Sequence, residues 1–576
     1  MMLKKLLKRP HCRVLASKGT VNIKGPTGRR WRITYHPRHT FTVTETLWNG
    51  ATSKTEKLGT VTLWDVIGSF QSSFVAACKQ RLTPEDLAEL DYVQRMKNER
   101  GSFTLNDLPE MLKYCQTELR LLVKLQHTDA DDAEAAGIYP MRRWDGAGAK
   151  ASVLMAGAKL DDYRAPTPPE IKLPARFAYA GGRIELPRFG DYEGPAFTLD
   201  RRSAYPFAQT LLPCLKHGRW YKVKRYNPEA DFAIWHVAYH AEIANDLHPF
   251  FWRAPDGRIT YPAVTEGWYW SPEVSAALRH VPHRITITEG WIWRQSCTHK
   301  PFDFVGKGFH NRKLLDRQRA GRGQPLKLAL NAGYGKMAQQ IGAGKDGKPP
   351  KWHQLEWAGW TTSHTRAWAF DTSYPLRTRL VGIATDGLTF TGQMPEELLP
   401  GIGPDLGALE LSIQDAGLWV QSGIYWLREA GEWKDPKVRG IAKADPKTGL
   451  PVLRPEPFRE AIKAGHFYRT VTVPVERFRG LVTSSISRER FTEWGEWITE
   501  PREIACAPAG KRIHLPDDCA VCRGDDPGTL HFTLPTGGGC PSSPHVLRFD
   551  PESGRVVGDV TDEWWLANLT DDDETE

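Results

Sequence analysis

The chain has 576 residues, of which 40% are hydrophobic, 11% aromatic and 25% charged, with a formal net charge of +9. This length exceeds one compact core, so roughly two to four domains are expected, and the basic balance suits an anionic partner without requiring one. No apolar run approaches the ~20 residues of a membrane span, the basic start MMLKKLLKRP lacks a signal-peptide core, and nine scattered cysteines argue against a disulfide framework, so a cytoplasmic protein is expected.

In chain order, residues 20 to 75 alternate β-rich runs (RWRITY, TFTVTETLW, GTVTLW) with polar turns and predict a sheet. Residues 83 to 127 turn helical, opened by a Thr cap and acidic first turn in TPEDLAELDYVQRMK. The acidic stretch DADDAEAAG after them reads as an exposed loop or helix start. APTPPEIKLP (165–174) reads as an extended linker and the best domain boundary. Next, the run AFTL delivers Asp200 into a basic and aromatic turn, Arg201-Arg202-Ser203-Ala204-Tyr205-Pro206. HGRWYKVKRY (217–226) interleaves basic and aromatic residues, suiting either DNA contact or an edge strand.

A helical pair broken at GRGQP spans 301–340. Pro325 is placed to open its second helix, on which Lys327, Asn331 and Tyr334 fall at i, i+4 and i+7 and share one face. A cation, an amide and an aromatic ring so aligned suit a nucleoside triphosphate, with Gly333 and Gly335 leaving room for close approach, although a plain amphipathic core helix has the same spacing. Arg312, Lys313, Arg317, Arg319 and Arg322 form a basic helix and turn beside it. Asp386 lies in RLVGIATDGLTFTG, two β-rich runs joined through Thr-Asp-Gly, which reads as a hairpin or as ordinary turn chemistry. Two strands that bring Asp200 and Asp386 into one sheet would let these carboxylates hold two Mg²⁺ ions for in-line phosphoryl transfer. The last 170 or so residues alternate strands, Pro/Gly turns and short helices. There Cys519, Cys522 and Cys540, with His531, His514 and Cys506 nearby, are candidates for a structural Zn²⁺ site or for incidental thiols. DEWWLANL reads as a terminal packing helix, and DDDETE as an acidic disordered tail.

L-D-R-R-S-A-Y-P, K-L-A-L-N-A-G-Y-G and A-T-D-G, in that order, resemble motifs A, B and C of family B DNA polymerases, usually D-x-x-S-L-Y-P, K-x-x-x-N-S-x-Y-G and D-T-D-S. Tyr179-Ala180-Gly181-Gly182 resembles the Y-x-G-G element that links the exonuclease and polymerase modules, especially in the protein-primed phage and plasmid branch. The resemblance implies an α/β (α+β) multidomain chain with a right-hand fold of palm, fingers and thumb. Its parts would be a truncated exonuclease-like domain (1–164), a linker and palm with motif A and an insertion (165–300), fingers with motif B (301–345), palm with motif C (346–415), and palm end, thumb and C-terminal extension (416–576). The implied activity is template-directed addition of dNTPs to a primer 3′-hydroxyl in replication of a phage or mobile element. Asp200 and Asp386 would be the catalytic ligands of Mg²⁺ (or Mn²⁺). Ser203, Ala204 and Tyr205 would meet the nucleotide, the Tyr205 ring lying beneath the deoxyribose. Lys327 would contact the triphosphate, and Asn331 and Tyr334 the nascent base pair. Tyr179, Gly181, Gly182 and Arg312 would contact DNA, as would Tyr425, Arg439 and Lys443 in a segment that resembles the K-x-Y region and the K-G element beyond it. Implied partners are primer-template DNA, dNTPs and a terminal priming protein.

The pattern also departs from the family. Ala384 replaces the first aspartate of motif C, Gly387 its serine, Ala332 the serine of motif B, and Gly423 the lysine of K-x-Y. D-V-I-G-S-F-Q-S-S-F and Y-C-Q-T-E-L resemble later parts of the proofreading nuclease, yet no Asp-x-Glu opens it before residue 40 and Glu118 replaces the aspartate of its third motif. An inactive exonuclease fold is therefore expected. The A-to-B interval has room for the first insertion of the protein-primed branch, whereas the B-to-C interval leaves little for the second. Two other readings stand beside the polymerase: a polymerase-shaped DNA-binding protein without synthesis, and a zinc-dependent nuclease or nucleic-acid-binding protein.

Overall fold

The computed structural model describes residues 7–557, apart from 26–27, 37–38, 51, 100–102, 244–245, 254–258, 340–348, 440, 442–450, 466–469, 479–496, 506–511, 527, 536–547 and 551–554. Lys443, Cys506, Cys540 and the terminal DEWWLANL and DDDETE stretches lie outside the described residues.

Near the N-terminus, helix α1 (Arg9–Lys18) covers a four-stranded antiparallel meander of β1 (Thr20–Lys24), β2 (Arg29–His36), β3 (Thr40–Asn49) and β4 (Lys54–Trp64). Cys12 and Leu15 of α1 pack on Val21 and Ile33, so this sheet has its own small core. Helices α2 (Phe74–Arg81), α3 (Leu90–Asn98) and α4 (Leu108–Ala135) bury a second one around Cys78, Val93, Leu121 and Leu125. The acidic stretch expected to be exposed is instead the last turns of α4, with Asp129 and Asp132 buried. Arg81 Nη2 reaches them at 2.9 and 3.1 Å, and Lys150, itself buried on α5 (Ala147–Gly157), pairs with Asp129 at 2.8 Å. Charge neutralisation by residues distant in sequence makes that burial tolerable. The Pro-rich stretch expected to be an extended linker is helical from its middle, as α6 (Pro169–Phe177). Pro169 opens that helix, where its missing N–H has no role.

Then follow β5 (Ile184–Glu185), β6 (Arg188–Tyr192), β7 (Ala196–Arg201), helix α7 (Ala204–Thr210), β8 (Gly218–Val223), β9 (Ala233–His240), the short pair β10 (Trp252–Arg253) and β11 (Ile259–Thr260), β12 (Val264–Trp270), helix α8 (Ser271–His280) and β13 (Ile285–Gln295). Helices α9 (Asp303–Gln318), α10 (Gln324–Ala338) and α11 (Leu355–Ser373) lead to β14 (Leu380–Ala384) and β15 (Gly387–Thr391). The remainder includes β16 (Leu409–Gln414), β17 (Ala416–Gln421), β18 (Ile424–Glu429), β19 (Glu432–Trp433), β20 (Lys437–Val438), helix α12 (Glu456–Lys463), the hairpin of β21 (Thr470–Phe478) and β22 (Trp497–Ala505), β23 (Arg512–Ile513) and β24 (Leu530–Phe532).

Three antiparallel sheets organise this region. The central one runs β16-β7-β15-β14-β5, and a second runs β19-β18-β17-β6-β24 with β20 on β18. The third, β12-β9-β13-β8, lies between α7 and α9 in the chain and makes HGRWYKVKRY an edge strand. One aromatic-rich core (Phe232, Trp270, Trp357, Trp360) joins this third sheet to α6, α9, α10 and α11, so the helices and the inserted sheet share one packing layer. Among the described residues no helix is long and apolar enough to cross a membrane.

Candidate active site

Two strands deliver the carboxylates. Asp200 stands near the end of β7, opposite Gly387 of β15 on one side and Glu410 of β16 on the other. Ala384 pairs directly with Gly387, so Thr385 and Asp386 form a two-residue hairpin loop, with Thr385 at φ 69°. The Arg201 N–H donates to the Asp386 carbonyl at 2.8 Å, tying the loop to the strand of Asp200. Partial burial, then the carboxylates of Asp386 and Glu410, push Asp200 up to about 6 against the pull of Lys437; burial raises Asp386 too. Among the described residues neither aspartate sits in an ion pair. Two oxygen-donor carboxylates, one near a strand end and one in the adjoining hairpin loop, form a concentrated negative site suited to divalent cations. Gly387 makes room for them, because a Cβ there would stand 2.6 Å from Asp200 Oδ1.

The turn after Asp200 holds Ser203 in the left-handed region (φ 51°, ψ 51°) and starts α7 at Ala204. Arg201 and Arg202 do not face a free anion. Arg201 Nε donates to the Gly407 carbonyl at 3.1 Å and its guanidinium lies 4.6 Å from the Phe207 ring, while Arg202 Nε donates to Gly403 at 2.8 Å. The Tyr205 ring stacks on Tyr334 of α10, with centroids 4.1 Å apart. On α10 the residues Leu326, Ala329, Leu330, Gly333 and Met337 are buried, whereas Lys327 and Asn331 are exposed and Tyr334 is half-buried. The open face of α10 therefore carries all three residues singled out by spacing. Asp386 raises the pKa of both Tyr205 and Tyr334, after burial, so the A, B and C segments meet in one cleft.

The Y-x-G-G segment closes that cleft. A Cβ on Gly182 would lie 2.5 Å from Thr385 Cγ2 and 2.7 Å from the Tyr205 hydroxyl, so only glycine fits between the two motifs. Its backbone is held by a residue that sequence reasoning passed over. Arg366 of α11, buried, donates to the carbonyls of Ala180 and of Gly181 (3.0 Å) and forms a bidentate pair with Glu273 at 2.8 and 2.9 Å. Arg253 donates to the Tyr179 carbonyl at 2.6 Å. An arginine inside the apolar helix LEWAGWTTSHTRAWAF was the signal available for Arg366. Arg312 is half-buried on α9, 5.1 Å from the Phe309 ring. Of its basic neighbours, Arg319 is committed to Asp132 and Lys313 to the Pro404 carbonyl.

Tyr425 on β18 pairs in register with Lys437 of β20. Burial, then Asp200, raise the Tyr425 pKa while Arg439 lowers it, so Tyr425, Arg439 and Lys437 border the carboxylates. Gly423, where the resembling family has lysine, sits at φ 82°, and the Arg439 stem lies over it, 2.7 Å from where a Cβ would be. Lys437 was not singled out from sequence because the register of β18 on β20, not local spacing, brings it to Asp200.

Of the cysteines named as zinc candidates, Cys519 and Cys522 fall within the described residues. Cys519 and Cys522 meet His514 and His531, their four ligand atoms all within 4.8 Å. Cys522 Sγ lies 3.6 Å from His514 Nε2 and 3.3 Å from His531 Nδ1, and Cys519 Sγ lies 3.7 Å from the same Nδ1. With metal–sulfur bonds of about 2.3 Å and metal–nitrogen bonds of about 2.0–2.1 Å, the sulfur–nitrogen edge of a tetrahedron is about 3.6 Å, which these separations match. His514 Nδ1 faces the Phe532 carbonyl at 2.8 Å, leaving Nε2 for a ligand. Among the described residues the two histidines complete a group of four donors. They also stand on the segment whose strand β24 pairs with β6, so this cluster lies against the second sheet.

An antiparallel sheet brings Asp200 near the hairpin loop of Asp386, and a helix with exposed Lys327 and Asn331 faces the same cleft, an arrangement compatible with phosphoryl-transfer chemistry. Residues 170–346, which contain the motif A and motif B segments, match the family model for DNA polymerase type B, organellar and viral. Over that stretch the chain resembles the type B DNA polymerases. In fold it is similar to Phi29 DNA polymerase complexed with primer-template DNA and incoming nucleotide substrates, at TM-score 0.51 and 14% identity over 81% of this chain and 82% of that one. It is equally similar to the orthorhombic crystal form of Phi29 DNA polymerase, at TM-score 0.50 and 14% identity over 76% and 80% of the two chains. No curated protein matches the chain by sequence.

Proposed function

We propose that this protein is a type B DNA polymerase that extends a primer 3′-hydroxyl along a DNA template, with Asp200 and Asp386 as the residues that would hold the divalent cations, Mg²⁺ or Mn²⁺. The observation that carries this reading is Asp200 near the end of its strand beside the hairpin loop of Asp386, in a cleft that raises the Asp200 pKa to about 6. When bound, the cations supply charge neutralisation for the attacking oxygen and the leaving pyrophosphate. The chain's own residues position the reactants. Lys327 meets the triphosphate, with the backbone of Ser203 and Ala204 beside it. The Tyr205 ring, braced by Tyr334, forms the floor under the sugar and excludes a 2′-hydroxyl, and Asn331 lines the nascent base pair. Tyr425 and Arg439 guide the primer end, with Arg439 lying over Gly423 where a lysine is missing. Tyr179, Gly181 and Gly182 border the template, and Arg312 adds positive charge from the helical side; Lys443 belongs to the same primer contact by sequence position.

The same reading includes no proofreading. Tyr114 is buried in a helical core and Glu118 pairs with Lys97 at 2.9 Å, and the carboxylates Asp129 and Asp132 are neutralised by cations. Primer-template DNA and dNTPs are the proposed partners, as in the Phi29 ternary complex. A terminal priming protein and a phage or mobile-element replicon in the bacterial cytoplasm complete the proposal, with a structural Zn²⁺ at His514, Cys519, Cys522 and His531.

Primer extension with Mg²⁺ and four dNTPs on a 5′-labelled primer tests it. The wild type extends without shortening the primer, and Asp200→Ala or Asp386→Ala lowers extension by roughly 10³-fold or more. Firm primer-template binding without extension would overturn the reading and leave a DNA-binding protein of polymerase shape.

A further inference from the structure

The motifs leave a second cluster of sulfur and nitrogen donors unused. Cys214 follows helix α7, His217 precedes β8, and Cys297 and His299 follow β13. The two segments are brought together by the pairing of β8 with β13, in which Gly218 faces Gln295. Their four ligand atoms lie within 4.8 Å of one another, and Cys214 Sγ stands 3.4 Å from His217 Nδ1. That separation is close to the sulfur–nitrogen edge of about 3.6 Å in a tetrahedral zinc site.

Hydrogen bonds tie the two halves together. The Lys216 N–H donates to the Tyr163 carbonyl at 3.0 Å, which holds the turn between Cys214 and His217. Gln295 acts as a single strut for both halves. Its Oε1 accepts from the Cys214 N–H at 3.0 Å, and its Nε2 donates to the Cys297 carbonyl at 2.6 Å and to the Cys297 sulfur at 3.3 Å. The Ser296 N–H adds a bond to the His217 carbonyl at 3.0 Å. The His217 and His299 rings stand 5.1 Å apart, and the Tyr163 ring lies 5.5 Å from His299.

We propose that Cys214, His217, Cys297 and His299 bind a tetrahedral zinc ion, a second Cys₂His₂ site independent of the C-terminal one. The ion fastens the exit of the motif A helix α7 to the entrance of α9, closing the inserted sheet at its neck. It fixes the chain on either side of the nucleotide cleft without touching the reactants, so its role is structural. Binding releases the two thiol protons, leaving two thiolates and two neutral imidazoles around the cation, a neutral site.

Zinc content of the purified full-length protein, measured by elemental mass spectrometry, tests this. Two zinc ions per chain are expected. The double substitution Cys297→Ser, His299→Ala removes one, Cys522→Ser removes the other, and the combined variant carries none. Replacement by Co²⁺ gives thiolate-to-cobalt absorption that falls by half in either variant. His299 is exposed, so His299→Ala alone keeps the fold and is expected to weaken zinc by at least ~10-fold in competition with a chromophoric chelator. Wild-type zinc content in the double variant, a wild type holding only the ion lost with Cys522→Ser, or a Cys214–Cys297 disulfide in the non-reduced protein would each overturn the site. Primer extension is not part of the readout, so failure of the polymerase reading would leave this result standing.

Discussion

At the scale of single residues, the cleft depends on side chains that are missing as much as on those present. Gly387→Ala is expected to retain the fold, since its φ lies outside the left-handed region, while its Cβ displaces the Asp200 carboxylate from 2.6 Å. Misplacement of a reacting group by up to an ångström costs roughly 10²-fold. Extension by Gly387→Ala should therefore fall by about that factor, with dNTP affinity measured on the primed template much less changed. A variant of wild-type rate would show that Asp200 has slack. Asp200, Tyr205, Lys327, Asn331, Tyr334 and Asp386 were legible from sequence because each belongs to a short local pattern that the folded chain keeps on one strand end, one turn or one helix face. Lys437 and Arg366 were not. Each reaches the site through pairing or packing across distant segments, and nothing in the local spacing around them records that.

At the scale of elements, β5 is only two residues long yet carries the most heavily paired carboxylate in the sheet. Glu185 is buried between Arg183 (2.8 Å) and Arg512 (2.8 Å from Nε), the latter on β23. Burial alone would raise its pKa, but the two guanidiniums outweigh it and hold Glu185 at about 2, against 4.5 when unfolded. A depressed carboxylate contributes stability that is complete above pH 4.5 and is lost as pH falls toward 2, on the order of 3 kcal/mol in all. Acid denaturation followed between pH 6 and 2 should accordingly steepen below pH 4.5, and Glu185→Gln should flatten that limb while lowering stability at pH 7 by roughly 3–5 kcal/mol through two unpaired guanidiniums. Identical acid limbs for the two proteins would exclude the triad as the source. The elements themselves were largely readable: the N-terminal meander, the broken helical pair and the Thr-Asp hairpin all form from the runs that predict them. The helix over Pro169–Phe177 was hidden by its prolines, which suit a first turn as well as an extended linker.

At the scale of the whole molecule, the N-terminal helices are joined to the helical pair by ion pairs. Asp132 receives Arg81 from α2 and Arg319 from the end of α9. Asp132→Asn removes one of the two carboxylates from buried Arg81, which keeps Asp129, and the ion pair of the partly exposed Arg319, a loss of about 1–3 kcal/mol. Urea unfolding should report that loss, and amide exchange in α4 should quicken. Extension of a short primer should persist, because Asp132 touches neither the carboxylates nor the open face of α10; unchanged urea stability would mean the network is dispensable. Sequence reading placed this acidic stretch in solvent since its cations lie in three other helical segments. The Cys214 group escaped for a related reason: its halves flank the inserted sheet, and only the β8–β13 pairing makes them neighbours.

Strand β24 lies against β6, and Thr533 Oγ1 bonds the Pro187 carbonyl across 346 positions of sequence. During synthesis at about 5–20 residues per second, β6 is made roughly 20–70 s before the strand that covers it. Through that interval one side of β6 exposes unpaired N–H and C=O groups, open to any other extended chain. The nascent protein thus passes through an aggregation-prone period with most of the chain already outside the ribosome. Slow release of the last segment should lower soluble yield more than slow translation of the first.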